Sequence, residues 1–127
     1  MRIIIDAMGG DNAPDAIVKG AVMAKRGLGA EIVLVGKKEE IRRCLDAEGE
    51  QDIQVVDARE VVTMDDDPSF ATRRKKDSSM SVALRMLRDG EGDAMVSAGS
   101  TGVLLTGATL TVKRVRGIRR AALAPVL

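Results

Sequence analysis

Apolar and polar positions come in blocks along this chain, and the block lengths separate strands from helices. Ile3-Ile4-Ile5 is a short, wholly apolar run and reads as a strand buried on both faces, as in a parallel sheet. It stops at Asp6, passes the pair Gly9-Gly10, and leads into a helix over Pro14–Leu28. Pro14 suits a first helical position, Ile17, Ala21, Ala24 and Leu28 recur at helical spacing, and Gly27 and Gly29 mark the end. Ile32–Val35 is a second fully buried strand closed by Gly36, and Lys37–Glu48 an amphipathic helix with Ile41, Cys44 and Leu45 inward. A third strand covers Ile53–Val56, and the stretch Val61–Lys76 is irregular and charged. Ser78–Arg88 carries Met80, Ala83, Leu84 and Leu87 in a helical stripe. Ala94–Ser97 predicts a fourth strand, Val103–Val115 a helix buried nearly all round, and Leu123–Leu127 a fifth strand. Strands alternating with helices predict an α/β fold with a mostly parallel sheet and helices on both faces.

Composition narrows the chemistry. With 127 residues the chain is one domain or a piece of a larger one, and its apolar C-terminal run without a following helix suggests the N-terminal part of one. No Trp, no Tyr and a single Phe leave an aliphatic core and remove the aromatic platforms of single-strand binders. A net charge of +1 supplies no global field for nucleic acid. The absence of His excludes His triads and His metal sites, and Cys44 alone can form neither an intrachain disulfide nor a cysteine zinc cluster. Its spacing with Ile41 and Leu45 makes it a core thiol. No secretory signal opens the chain, so the reading is a reduced, cytosolic protein. The uncharged stretch Ala94–Val112 holds Gly99, Gly102, Gly107 and several hydroxyl residues, which argues against a membrane span.

Three turns carry candidate chemistry. In the first, Gly9, Gly10 and Asp11 stand between a strand end and a helix start, where backbone N–H groups and the positive helix end face an anion. A tight connection without a ligand explains it equally well. In the second, Arg73-Arg74-Lys75-Lys76 precede Asp77-Ser78-Ser79 at a helix start, so Arg73, Lys75, Ser78 and Ser79 are candidates for an oxyanion or phosphate. Solvated charges with an ordinary N-cap are the alternative. Asp65-Asp66-Asp67 runs into Pro68 as a turn rather than a metal site. In the third, Ser97, Gly99, Ser100, Thr101 and Gly102 follow the fourth strand, where open α/β sheets bind ligands. The three turns at one sheet edge together predict an anion site. A nicotinamide dinucleotide is excluded, because the first turn lacks G-x-G-x-x-G and the second strand ends at Val35-Gly36 without an acid; no P-loop occurs.

Asp6-Ala7-Met8-Gly9-Gly10-Asp11 with Ala13-Pro14 resembles the N-terminal signature of the PlsX-type phosphate acyltransferases of bacterial phospholipid synthesis. Pro68, Ala71, Arg73 and Ser78-Ser79-Met80 match that family's second block, and Ser97-Ala98-Gly99, Thr101-Gly102, Arg114, Gly117-Ile118 and Arg120 its third. Ser100 stands where the family usually has Asn, and Ala121 where it has Pro. The resemblance implies acyl transfer from an acyl carrier protein thioester to inorganic phosphate, giving an acyl phosphate, with no cofactor and no metal. It implies a fold similar to the phosphate acetyltransferase and isocitrate dehydrogenase-like group. It further implies a homodimer and peripheral contact with a membrane. Phosphate acetyl or butyryl transfer with coenzyme A, and a non-catalytic phosphate-binding module, are the rival readings. The basic cluster Lys113, Arg114, Arg116, Arg119 and Arg120 reads as solvated helix-end charge or as a docking surface for an acidic carrier.

Overall fold

The computed structural model describes residues 1–126. Strands β1 (Arg2–Asp6), β2 (Glu31–Gly36), β3 (Gln54–Asp57) and β4 (Ala94–Val96) form one sheet in the order β3-β2-β1-β4. Every neighbouring pair is parallel, with Ile4 opposite Val33 on one side and Met95 on the other. Helices α1 (Asp15–Leu28) and α2 (Lys38–Ala47) link the first three strands; α3 (Ala71–Arg74), α4 (Ser79–Arg88) and α5 (Thr101–Thr111) complete the element order.

The two faces of the sheet follow from the period of two along β2. Ile32 and Leu34 join Val18 and Val22 of α1 and Ile41 and Leu45 of α2 in one core. Val33 and Val35 join Ile4, Ala83 and Met86, the last two from α4, in the core on the other face. Each such side chain contributes about 1.5–3 kcal/mol by leaving water. A third cluster, with Met80, Leu84, Ala71 and Val103, packs α3 and α5 against α4. Cys44 is a buried free thiol that donates to Asp15 at 2.8 Å, and burial, reinforced by that carboxylate, pushes it above the ordinary thiol value.

The chain runs β1 to β2 to β3 on one side of β1, then crosses to β4 on the other side. The connections leaving β1 and β4 therefore diverge, which opens a crevice at the carboxyl ends of those two strands.

Several expectations change. Pro14 occupies the cap position, with α1 beginning at Asp15. The buried arc of α1 centres on Val18, Ala21 and Val22, while Leu28 is 83% exposed. At about 100° per residue Val22 lies over the sheet when Leu28 has turned off it. Helix α5 is not buried all round: Val103 and Gly107 face the protein, because α4 and α3 pack on one side of it. It also ends at Thr111, short of Val115. Residues 123–126 form no strand and are exposed, and Leu127 lies outside the described residues. A strand needs a neighbour's ladder, and an apolar run alone does not supply one. Within the irregular stretch, residues 71–74 close a single helical turn, α3.

Candidate functional site

The crevice is built by two turns that leave β1 and β4 side by side. After Asp6, the Ala7 amide still donates to Val35 at 2.9 Å, and the chain then turns through Met8, Gly9 and Gly10. Gly10 has φ +109°, a conformation L side chains rarely adopt. After β4, Ser97–Ser100 turn into α5, whose first turn is capped by Ser100 accepting from the Val103 amide at 3.3 Å. The turns touch through glycine: a Cβ on Gly9 would lie 2.9 Å from the Gly99 nitrogen and 2.7 Å from Asp6 Oδ2. Between them lies a cleft of ≈ 430 Å³ whose walls include Gly10, Asp11, Gly99 and Ser100, with Val61–Met64 opposite.

The cleft's chemistry is that of N–H groups. Among the described residues the Thr101 and Gly102 amides, in the first turn of α5, donate to no acceptor within the protein, as is usual for the first N–H groups of a helix. The only ionisable side chain in the lining is Asp11; no Lys or Arg lines it. The groups at this cleft suited to an anion are backbone dipoles, the α5 N-terminus and the Ser100 hydroxyl, since the Thr63 hydroxyl donates to Asp66 at 3.2 Å.

Beneath the cleft lies Asp6, which is 2% exposed. Its Oδ1 accepts from Ser79 Oγ at 2.5 Å and from the Met8 amide at 3.2 Å. Its Oδ2 accepts from Ser97 Oγ at 2.8 Å, and Ser97 Oγ in turn accepts from the Gly99 amide at 3.1 Å. One carboxylate thus ties together the end of β1, the start of α4 and the turn after β4.

The chain is similar to known proteins along its whole length. A family model described as "Fatty acid synthesis protein" matches residues 1–127. The chain belongs to that family. Among curated relatives, the phosphate acyltransferase of Clostridium acetobutylicum is 46% identical over 130 residues, covering 100% of this chain and 39% of that protein. The phosphate acyltransferase of Thermoanaerobacter pseudethanolicus is 52% identical over 128 residues, again 100% of this chain and 38% of that protein. The chain therefore spans well under half the length of these relatives.

None of Pro68, Ala71, Arg73, Lys75, Ser78, Ser79 or Met80 lines the cleft. Ser78 is fully buried; it accepts from the Ser81 amide at 3.0 Å and donates to Ser81 Oγ at 2.8 Å, which makes it the cap of α4. Ser79 is committed to Asp6. Lys75 does not reach the cleft lining: its Nζ donates to the Val61 carbonyl at 2.8 Å and to Asp66 at 2.8 Å. Lys75 so pins the segment that forms the far wall, and it holds the Asp66 carboxyl below the usual carboxylate range. Arg73 lines a separate hollow with Thr72, Lys76 and Arg85. Thr101 and Gly102 are exposed at the start of α5, and Gly102 packs on Pro68. Of the three turns, the structure brings the first and third together and turns the second into a support.

The aspartate run is likewise local. Asp66 accepts from the Thr63 amide at 2.7 Å and Asp67 from the Ser69 amide at 2.9 Å. Among the described residues no group of three His, Cys, Asp or Glu side chains could hold a metal ion. No helix among them is long and apolar enough to cross a membrane. Sequence reasoning missed two parts of the site. The Val61–Met64 wall carries no periodic signal, whereas Asp6 had one: an acid closing an otherwise apolar strand.

Proposed function

We propose that the cleft between the Gly9-Gly10 turn and the Ser97–Gly102 turn binds inorganic phosphate, as part of an enzyme that transfers an acyl group from an acyl carrier protein thioester to that phosphate. The observation that carries this reading is the meeting of two glycine-containing turns at the crevice between β1 and β4, where the second turn runs from Ser100 in the cleft wall into the first turn of α5. The phosphate acyltransferase relatives support the reaction class.

The chemistry asks for positioning more than for acid–base groups. A phosphate oxygen attacks the thioester carbonyl carbon, the carbon–sulfur bond breaks as the carbon–oxygen bond is kept, and the sulfur leaves as thiolate. Backbone N–H groups at the α5 start hold phosphate oxygens. The rim carboxylate of Asp11 accepts a hydrogen bond from the remaining P–O–H group and so orients the dianion. No Lys or Arg of this segment lines the cleft, so countercharge for the oxyanion comes from elsewhere in the longer protein, which acts as a homodimer in this reading.

Full-length protein given acyl carrier protein thioester and phosphate is expected to release acyl phosphate, trapped as a hydroxamate. The coenzyme A thioester as sole competent donor would redirect the reading to the coenzyme-dependent transferases. Phosphate binding without turnover of either donor would leave a binding module.

A further inference from the structure

Among the described residues the buried Asp6 carboxylate has no cationic partner and is bonded by the Ser79 and Ser97 hydroxyls and the Met8 amide. Burying a charge without a counter-ion is costly, and an apolar side chain at the end of a central strand would avoid that cost. What the carboxylate supplies in return is acceptor capacity at one point for three chain segments. Its two oxygens bond different chain segments. Oδ1 takes the Met8 amide and so shapes the turn before Gly9-Gly10. Oδ2 takes the Ser97 proton, which leaves the Ser97 oxygen free to accept from the Gly99 amide. That second bond folds the Gly99 N–H inward and sets the direction in which the chain enters α5. Gly9 fits above only because it lacks a Cβ, which would meet Asp6 Oδ2, the Gly99 nitrogen and Ser97 Oγ at 2.7, 2.9 and 3.0 Å.

We infer that Asp6 is a positioning residue for the anion cleft: through Met8 on one side and the Ser97–Gly99 link on the other, it holds both N–H-bearing turns in register. The inference rests on the phosphate reading of the cleft. It assigns Asp6 no contact with substrate. Its direction of hydrogen bonding matters as much as its size, because an amide in place of Oδ2 would donate to Ser97 Oγ and leave the Ser97 proton without its acceptor.

The test uses the full-length protein and the variants Asp6→Asn and Ser97→Ala, each alone and combined. Val18→Ala, a core truncation under α1 away from the cleft, serves as a control for lost stability. Asp6→Asn and Ser97→Ala are expected to raise the KM for phosphate at least tenfold, the double variant to be little worse than either single one, and the control to lower Tm with an unchanged phosphate KM. Asp6→Asn with a lowered Tm but a phosphate KM within threefold of wild type would reduce Asp6 to a fold-stabilising residue and overturn the inference. Should Asp6→Asn fail to fold, Ser97→Ala decides alone, and an unchanged phosphate KM overturns it. If wild type makes no acyl phosphate, the acyl-transfer reading fails separately. Phosphate affinity of the same variants by calorimetry then decides the positioning role, and a wild type that binds no phosphate overturns it as well.

Discussion

Gly9 shows how far a single residue constrains this cleft. A methyl group there would be pressed against backbone and a buried carboxylate at once, and neither can give way like the end of a flexible side chain. Overpacking of this kind costs about 1–3 kcal/mol. Gly9→Ala is expected to lower stability by that order and to separate the two turns, which equilibrium denaturation and phosphate affinity measure together. A variant with unchanged affinity would show that the turns need no contact. The same residue marks what was legible at this scale. The Gly9-Gly10 pair is visible in the sequence as a turn that admits close approach, and that expectation needed no partner. Which group approaches was invisible, since Gly99 lies far along the chain and is brought there by the pairing of β4 with β1. Ser78 and Ser79 illustrate the converse. As sequence they are two hydroxyls at a helix start, open to a ligand or to a cap. In the fold one closes the α4 cap and the other reaches Asp6, so their donors are already used.

At the scale of elements, periodicity identified four strands and four of the helices, because a buried face imposes its period on neighbouring residues. It failed where burial is set by something other than the element itself. Helix α5 has an apolar composition on nearly all sides but packs on one, and residues 123–126 are apolar without a strand neighbour. The segment from Val61 to Asp66 has no period and is held instead by side-chain bonds: Lys75 to the Val61 carbonyl and to Asp66, and Asp66 to the Thr63 amide. Lys75→Met keeps the aliphatic stem and removes the three donors. It is expected to accelerate amide hydrogen exchange over residues 61–66 while the exchange of β1 and β2 stays as in wild type. Equal exchange in this segment would show that Lys75 is not its anchor.

At the scale of the whole molecule, one cluster of charges ties separate elements together. Arg59 joins the first turn of α2 to the end of β3 by bonding Glu39 and Asp57. The guanidinium beside Glu39 lowers its carboxyl to about 2, against an ordinary glutamate value of about 4.3. A depressed folded value means the unfolded chain takes up the proton first as pH falls. The pair's contribution is therefore complete above about pH 4.3 and is lost as pH drops toward about 2. Glu39→Gln is expected to flatten the acid side of the stability profile in that window and to leave its slope near neutrality unchanged. Acid-titrated unfolding of both proteins measures this, and parallel profiles would remove Glu39 as the cause.

The amino-acid sequence determined the kind and order of most elements, the parallel sheet they form and the edge at which the candidate cleft opens. Those follow from local periodicity and from the handed, short connections between strand and helix. Tertiary structure decided which polar groups remain available at that edge. Asp6 finds Ser79 and Ser97 at separations of 73 and 91 residues, and Lys75 turns away to a loop carbonyl. A hydrogen bond is set by distance and direction in space, and neither is written in the spacing of residues along the chain.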